Sequence, residues 1–323
     1  MSDDRYGRQT VLPEIGLAGQ ERLRAAAAVV VGAGGLGCAV LQYLCAAGIG
    51  RLWVVDPDRV EVTNLHRQPL YQMSDLGAPK ATAAAERLIG LNPDVAIEAV
   101  VERVTPENAA RWCGCADIVV DAGDSLALTY ILSDECRRLG KALVSASVLG
   151  LSGYAGVFCG GGPSYRAVFP EMPPRAGSCA QTGVLGSVVG VLGTLQAHLT
   201  LAQVLRLDPP VLGRLVTVDL ASLRFAGFSF SRVKEPPEPL LRFIAPSEVR
   251  PADLVVDLRS RSEAPVSPFP GALRLAVEEI AGQPLPSGVR IVLCCRSGIR
   301  AWRAAQLLRA RAMCDIALIA LGE

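Results

Sequence analysis

The first two thirds of the chain alternate between short, wholly apolar runs and longer stretches with apolar positions every three to four residues. "AAAAVVVGAGGLG" reads as a buried strand, a glycine turn and the opening of a helix. "GRLWVVDPD" reads as a second strand ending in Asp56 and Asp58, and "KATAAAERLIGLNP" as a helix stopped by Asn92-Pro93. "VAIEAVVERV" is a third strand, and "CADIVVDAGDS" a fourth that ends at Asp121 and Asp124. "LALTYILSDECRRLGK" is a helix and "ALVSASVLG" a fifth strand. Strands alternating with helices predict an α/β fold with a parallel, doubly wound, Rossmann-like sheet. In such a sheet ligands lie beyond the carboxyl ends of the strands. The acidic pairs stand there, which makes them site candidates.

After residue 183 the pattern is a long apolar helix, followed by "RLVTVDLASLRFAGFSFSR", two strands joined by a turn. "VKEPPEPLLRF" (233–243) carries three prolines and reads as a linker. Beyond it, "DLVVDLRS", "GVRIVLCCRSG" and "AWRAAQLLRARA" form a smaller βα pattern. The expected organisation is a nucleotide-binding domain over 1–232, the linker over 233–243, and a small α/β domain over 244–323.

Composition narrows the classes. With 323 residues the chain is long enough for two domains. Lys+Arg 32 against Asp+Glu 31, scattered rather than blocked, give no electrostatic case for nucleic acid. The start "MSDDRYGRQT" has neither a basic nor an apolar leader segment. The longest apolar stretch, 184–204, is interrupted by Gly186, Gly190, Gly193, Gln196 and His198, so a buried helix is expected rather than a bilayer span of roughly 20 residues. A cytoplasmic enzyme is the expectation. Ten cysteines would suggest a disulfide scaffold only in a much shorter chain. Cys38, Cys45 and Cys136 fall on apolar helical faces and read as core.

The glycine turn is Gly32-Ala33-Gly34-Gly35-Leu36-Gly37. Such a turn brings backbone close to phosphate and aims helix N–H groups at it. Asp56 follows at a strand end, where a carboxylate can hold ribose hydroxyls. These features fit a nicotinamide dehydrogenase as well as an ATP enzyme. The continuation favours ATP. Asp58, Asn64, Arg67, Gln68 and Lys80 form an acidic-then-basic cluster suited to a triphosphate, and Asp124 suits Mg²⁺.

"RYGRQ" (5–9), "GAGGLG" (32–37), "DPDRVEVTNLHRQ" (56–68), "GAPKA" (77–81), "DAGD" (121–124) and "TGVLGSVVGVLGTLQA" (182–197) together resemble the MoeB/ThiF adenylyltransferases, relatives of the ubiquitin-activating enzymes. The resemblance covers about residues 5–225. It implies that Asp56 holds the ribose, that Arg67, Gln68 and Lys80 contact the phosphates beside Asn64, and that Asp124 binds Mg²⁺. It implies a homodimer in which Arg8 reaches the partner subunit's ATP site. The implied substrate is the C-terminal Gly-Gly of a ubiquitin-like sulfur carrier of the MoaD/ThiS kind, converted to an acyl-adenylate. Sulfur would follow, from thiosulfate or a cysteine desulfurase, to give a thiocarboxylate.

Two cysteines are candidates for the sulfur chemistry. Cys179, in "GSCAQTGVLG", precedes a helix whose positive end favours thiolate, and the resemblance places it where the family has a covalent loop cysteine. The second stretch is Cys294-Cys295-Arg296-Ser297-Gly298-Ile299-Arg300, between a strand and a helix. Backbone N–H groups curled around Cys295 can hold an anionic persulfide. With "VVDLRS" (255–260) and "FPGAL" (269–273), it resembles the rhodanese active loop, with Cys295 as the sulfur carrier and Cys294 ending the strand. The loop is shorter than that of phosphatases of the same fold.

Three departures stand out. Many MoeB-like proteins bind structural zinc through two C-x-x-C pairs, but Ser164 and Ala167 occupy the first pair and the proline linker replaces the second. No zinc is expected, and packing or dimer contacts must replace the staple. Ser125 and Thr129 stand where the family usually has Asn and Arg, and His66 precedes Arg67. A non-catalytic scaffold that binds a ubiquitin-like partner and an NAD-dependent oxidoreductase stay open as alternatives.

Overall fold

Apolar runs of four to five residues with no polar face require cover on both sides, and the fold supplies it. The computed structural model describes residues 5–173, 183–286, 288–313 and 315–322. Strands β1 (Ala27–Val31), β2 (Arg51–Val55), β3 (Ala96–Val100), β4 (Ile118–Asp121) and β5 (Ala142–Leu149) pair in parallel. Three further strands, β6 (Ser152–Cys159), β7 (Arg214–Asp219) and β8 (Arg224–Ser229), continue the sheet antiparallel, in the order β3-β2-β1-β4-β5-β6-β7-β8. The five alternating strands are parallel, as their pattern predicted, and the sheet as a whole is mixed. The strand that turns it is β6, whose "SGYAGVFC" has too many small residues to stand out as an apolar run.

The helices divide between two faces. Two short N-terminal helices, α1 (Gly7–Thr10) and α2 (Gly16–Ala25), precede the sheet. Helices α3 (Gly35–Ala46), α4 (Lys80–Leu91) and α8 (Gly186–Leu205) cover one face, in a core that includes Leu41, Leu44, Leu88 and Leu192. Helix α8 is long and apolar enough to cross a membrane by length and composition, yet more than half of it is buried in the protein. Its Gln196 is fully buried and donates to the carbonyls of Asp121 and Val144, at 2.6 and 3.1 Å. These contacts make it a core helix. Helices α5 (Ala109–Cys115) and α6 (Leu126–Leu139) cover the other face, and α7 (Tyr165–Val168) packs beside α6.

The C-terminal pattern folds as a second, all-parallel sheet. Strands β9 (Arg242–Phe243), β10 (Leu254–Asp257), β11 (Leu273–Arg274), β12 (Ile291–Cys295) and β13 (Ile316–Ala320) pair in the order β11-β10-β12-β13-β9. Helix α9 (Ile299–Arg309) follows β12. The edge strand β9 comes from within the proline-rich stretch. One hydrophobic core runs through both units and holds Trp112, Tyr130 and Phe158 together with Leu293, Trp302 and Leu308.

Phe158 on β6 has no exposed surface and stacks on Phe230 with ring centroids 4.9 Å apart. Phe158→Ala leaves a cavity where the antiparallel half meets α6, and it is expected to cost about 3–5 kcal/mol. Urea unfolding checks this: an unchanged midpoint would contradict the packing.

Candidate functional site

The glycine turn takes its shape from two close approaches. Gly32 has φ +101°, and a Cβ there would lie 2.6 Å from the Ala122 carbonyl oxygen. A Cβ on Gly37 would lie 2.0 Å from the Gly32 carbonyl oxygen. Only glycine lets β1 pass this tightly into α3 beside the β4 end. Gly34 caps α3 and Gly35 opens it. Above Gly34 the Gln68 amide nitrogen lies 3.8 Å from where a Cβ would stand, with nothing nearer. This is a backbone cradle at a helix N-terminus, the geometry that receives phosphate.

Asp56, at the end of β2, is buried at 5% exposure. One carboxylate oxygen accepts the Ala33 N–H at 2.7 Å and the other accepts the Asp58 N–H at 2.8 Å. Burial raises its pKa, and the two backbone donors oppose that rise. Asp56 thus locks the glycine turn onto β2. Tyr71 ties in the next segment: its hydroxyl donates to the Ala33 carbonyl at 2.7 Å and lies 3.3 Å from the Lys80 carbonyl. Sequence reasoning missed Tyr71, because nothing in "QPLY" marks it.

The basic residues gather around this cradle. Lys80 opens α4 with its side chain 8% exposed, and its Nζ meets the Asp58 carboxylate at 3.0 Å. Asp58 is largely exposed, so the pair is worth under about 1 kcal/mol and leaves Lys80 only loosely held. The stem of Arg67 lies over Gly35, its Cγ 3.7 Å from where a Cβ would stand. The Arg67 Nη1 donates to the Thr63 carbonyl at 3.0 Å and lies 2.8 Å from His66 Nε2. Asn64 is buried, and so is Gln68, whose side-chain oxygen has no partner. An orphaned acceptor beside an open glycine cradle fits a site shaped for a polar ligand.

At the end of β4 the two aspartates part ways. Asp124 is exposed on the loop before α6. Asp121, a site candidate from sequence, is 1% exposed and faces inward. Its carboxylate accepts Thr129 Oγ1 at 2.7 Å, Ser145 Oγ at 2.9 Å and the Gly123 N–H at 3.4 Å. Asp121 is therefore a structural tie among β4, β5 and α6. Burial pushes its carboxyl up to about 6. Thr129, the unusual residue, serves this tie. Ser125, the other, caps α6 by accepting the Leu128 N–H at 3.5 Å. Among the described residues no cluster of three or more His, Cys, Asp or Glu is placed to hold a metal. Asp124 alone suits Mg²⁺ shared with phosphate oxygens, the usual mode for that ion.

The second candidate lies at the end of β12. Cys294 and Cys295 point to opposite faces of the sheet, as strand alternation requires. Burial pushes the Cys294 thiol up to about 12, so it is inert core. Cys295 Sγ accepts N–H groups from Gly298 at 3.2 Å and Ala301 at 3.4 Å, at the N-terminus of α9. This is the expected cradle for an anionic sulfur. Arg296 and Ser297 are exposed on the loop, and Ile299 opens α9. Arg300 donates to the Leu258 carbonyl at 3.0 Å and grips Glu263 at 2.8 and 2.5 Å, so much of its charge is met there. Asp257 is buried and pairs with Arg259 at 3.0 and 2.9 Å.

Arg8 is exposed on α1. Cys179 lies outside the described residues. Ser164 caps α7, and Glu235 from the linker accepts its N–H at 2.8 Å and its hydroxyl at 2.6 Å. Arg137 completes the clasp at 2.5 Å from Glu235. Neither the engaged Ser164 hydroxyl nor the Ala167 methyl is a zinc ligand.

The described family "ThiF family" matches residues 6–240. That match ends two residues before β9 begins. The chain is 46% identical over 237 residues to "Sulfur carrier protein adenylyltransferase" of Thermus thermophilus, covering 71% of this chain and 88% of that protein. It is 42% identical over 224 residues to "SAMP-activating enzyme E1" of Haloferax volcanii, covering 69% of this chain and 83% of the relative. It is 48% identical over 218 residues to "Adenylyltransferase and sulfurtransferase MOCS3" of Bos taurus, covering 67% of this chain. There the chain spans about half of the relative, 48%. Among solved structures, E. coli MccB with ATP superposes with a TM-score of 0.62 at 20% identity, covering 72% of this chain and 73% of that one. This shows a shared fold.

Asp121 generates a pH prediction. Its carboxyl stands near 3.8 when unfolded and about 6 when folded. The native state therefore holds a proton that the unfolded chain has lost, so this contribution is complete below pH 4 and fades as pH rises through 6. Relative to Asp121→Asn, the wild type is expected to lose about 2 kcal/mol of unfolding free energy between pH 4 and 7. Denaturant titrations of both proteins at several pH values check this. A difference that does not change with pH refutes it.

Proposed function

The chain belongs to the ThiF family, and we propose from that membership and from its glycine cradle that it adenylates the C-terminal carboxylate of a ubiquitin-like sulfur carrier ending in Gly-Gly. One observation carries the reading. The Gln68 amide nitrogen, a donor facing Gly34, the Lys80–Asp58 pair and the Arg67 stem surround the glycine turn at the strand ends. A hydride carrier gives no work to Arg67 and Lys80, whereas ATP does.

In this reading the α3 N-terminus, with Gly34 and Gly35, receives the phosphates by backbone N–H groups, while Gly32, whose own N–H donates to the Val55 carbonyl at 2.8 Å, and Gly37 permit the tight turn. Asp56 orients the ribose. Lys80 leaves Asp58 for a phosphate oxygen, and Arg67 and Gln68 steady the charge that builds on the α-phosphorus. Asn64 closes the same pocket. Mg²⁺ held by Asp124 would neutralise the pyrophosphate as it leaves. Arg8 would act in the partner subunit of a homodimer. The carrier carboxylate attacks the α-phosphorus, and the P–O bond to pyrophosphate breaks. The product is a mixed anhydride, so AMP becomes the leaving group at an otherwise unreactive carboxyl carbon.

Sulfur then comes from Cys295. Its thiolate attacks the sulfane sulfur of thiosulfate, sulfite leaves, and a persulfide remains; a cysteine desulfurase is the other donor class. The outer sulfur attacks the acyl carbon and expels AMP, giving an acyl disulfide. A thiol, Cys179 or a small dithiol, then breaks the S–S bond and releases the thiocarboxylate. We propose no zinc, since the Ser164–Glu235–Arg137 clasp joins the same two segments by hydrogen bonds and charge.

The test is ATP–pyrophosphate exchange with a panel of small ubiquitin-like proteins ending in Gly-Gly, followed by intact mass of the carrier with thiosulfate and dithiothreitol. Asp124→Ala is expected to lower exchange at least a hundredfold while Cys295 still gains a sulfur. Cys295→Ala is expected to keep exchange and lose thiocarboxylate formation from thiosulfate. Absence of exchange with every carrier, together with no ATP binding, overturns the adenylation reading. Full thiosulfate activity in Cys295→Ala overturns the sulfur route.

A further inference from the structure

One helix stripe gathers the contacts between the two units. Ala127, Tyr130, Asp134 and Arg137 recur at three- and four-residue spacing, hence on one face of α6. Ala127 lies under the Cys295 loop: a Cβ on Gly298 would stand 3.2 Å from the Ala127 methyl and 2.7 Å from the Phe243 ring. Tyr130 packs on Trp302 of α9, ring centroids 5.1 Å apart. Asp134 holds Arg166 at 2.6 and 2.8 Å, and that guanidinium lies 4.7 Å from the Tyr130 ring centre and 5.7 Å from that of Trp302. Arg137 holds Glu235 of the linker. Glu171 accepts the Trp302 indole N–H at 3.1 Å and also binds the Gln306 amide.

Two consequences follow from this seam. The Cys295 loop is fixed on the first turn of the helix whose entry loop carries Asp124. Cys295 itself has no exposed surface. A persulfide carries its reactive sulfur about 2.05 Å beyond Sγ, so the loaded form needs less exposure of Sγ to react. Loading is different, because the sulfane donor must reach Sγ itself.

We propose that the α6 seam is a dock with two positions, and that Trp302 is the positioning residue that closes it. Closed, the dock seals Cys295 and holds its loop at the adenylation centre, where sulfur is handed over within one chain. Open, with α9 lifted from Tyr130 and Arg166, it admits the sulfur donor to Cys295. The handover arm rests on the function proposed above; the sealing arm needs only this structure. The stack of Trp302 on Tyr130 with Arg166 beside it is strong enough to bias such an equilibrium and weak enough to open.

Trp302→Ala separates the two positions. Alkylation of the full chain by iodoacetamide, followed by peptide mass, is expected to label Cys295 at least tenfold faster in Trp302→Ala than in wild type, with buried Cys38 and Cys45 still protected. Single-turnover transfer from preloaded Cys295 persulfide to the adenylated Gly-Gly carrier that supports exchange is expected to fall at least tenfold, with ATP–pyrophosphate exchange unchanged. Trp302→Phe keeps the ring and is expected to stay within threefold of wild type in both. If Trp302→Ala labels Cys38 and Cys45 as well, it is unfolding, and Trp302→Leu, which fills the space without the ring, takes its place under the same criteria. Cys295 labelling within twofold of wild type in the folded variant overturns the dock, and so does unchanged transfer. Failure of wild-type exchange with every carrier instead overturns the adenylation reading and leaves the labelling result standing.

Discussion

Helix α6 is buried on opposite sides, and the rest of the molecule is organised around that constraint. One side meets the large sheet through Thr129, Leu132, Ser133 and Cys136, and the other meets the second unit through Ala127 and Tyr130. Its first turns are apolar on both of these sides and need cover on each, while Arg137 and Arg138 near its end reach water. The second sheet supplies the missing cover, which is why one core runs from Trp112 to Trp302. The same helix carries Asp124 at its entrance and rests on Asp121 through Thr129.

The two chemical centres use one physical device, a short apolar strand that ends in a tight loop and enters a helix. In the first, β1 turns through glycine into α3 and leaves backbone donors for phosphate. In the second, β12 turns through Gly298 into α9 and leaves backbone donors for sulfur. Both place an anion at the positive end of a helix. What differs is the surrounding charge. The first is ringed by Lys80 and Arg67, while in the second Glu263 already holds Arg300. Under the proposed function this difference suits the first to a highly charged ligand and the second to a single anionic atom.

Polar clasps between distant segments are the other theme. The linker is held by Glu235 across Ser164 and Arg137, and Arg166, at 3% exposure, is satisfied by Asp134 and two aromatic rings. A buried guanidinium is costly unless every side is met, and here each is. Such contacts fix the relative placement of segments without a metal ligand set.

Much of this was legible in the sequence. The five parallel strands, the glycine turn, the cluster from Asp56 to Lys80 and the Cys295 loop are all local: their signals lie within one apolar run, one turn or one helical stripe, where sterics and periodicity act on neighbouring residues. Tertiary structure decided the rest. The antiparallel half begins at β6, whose small residues pair with β5 and β7 and are covered by α8. Asp121 and Asp124 read alike in "DAGD", and only the approach of Ser145 and Thr129 buries one and leaves the other exposed. Glu235 finds Ser164, and Trp302 finds Tyr130, across long intervals of chain. Residues so far apart meet only after the sheet and its covering helices have formed, so no local pattern could announce them.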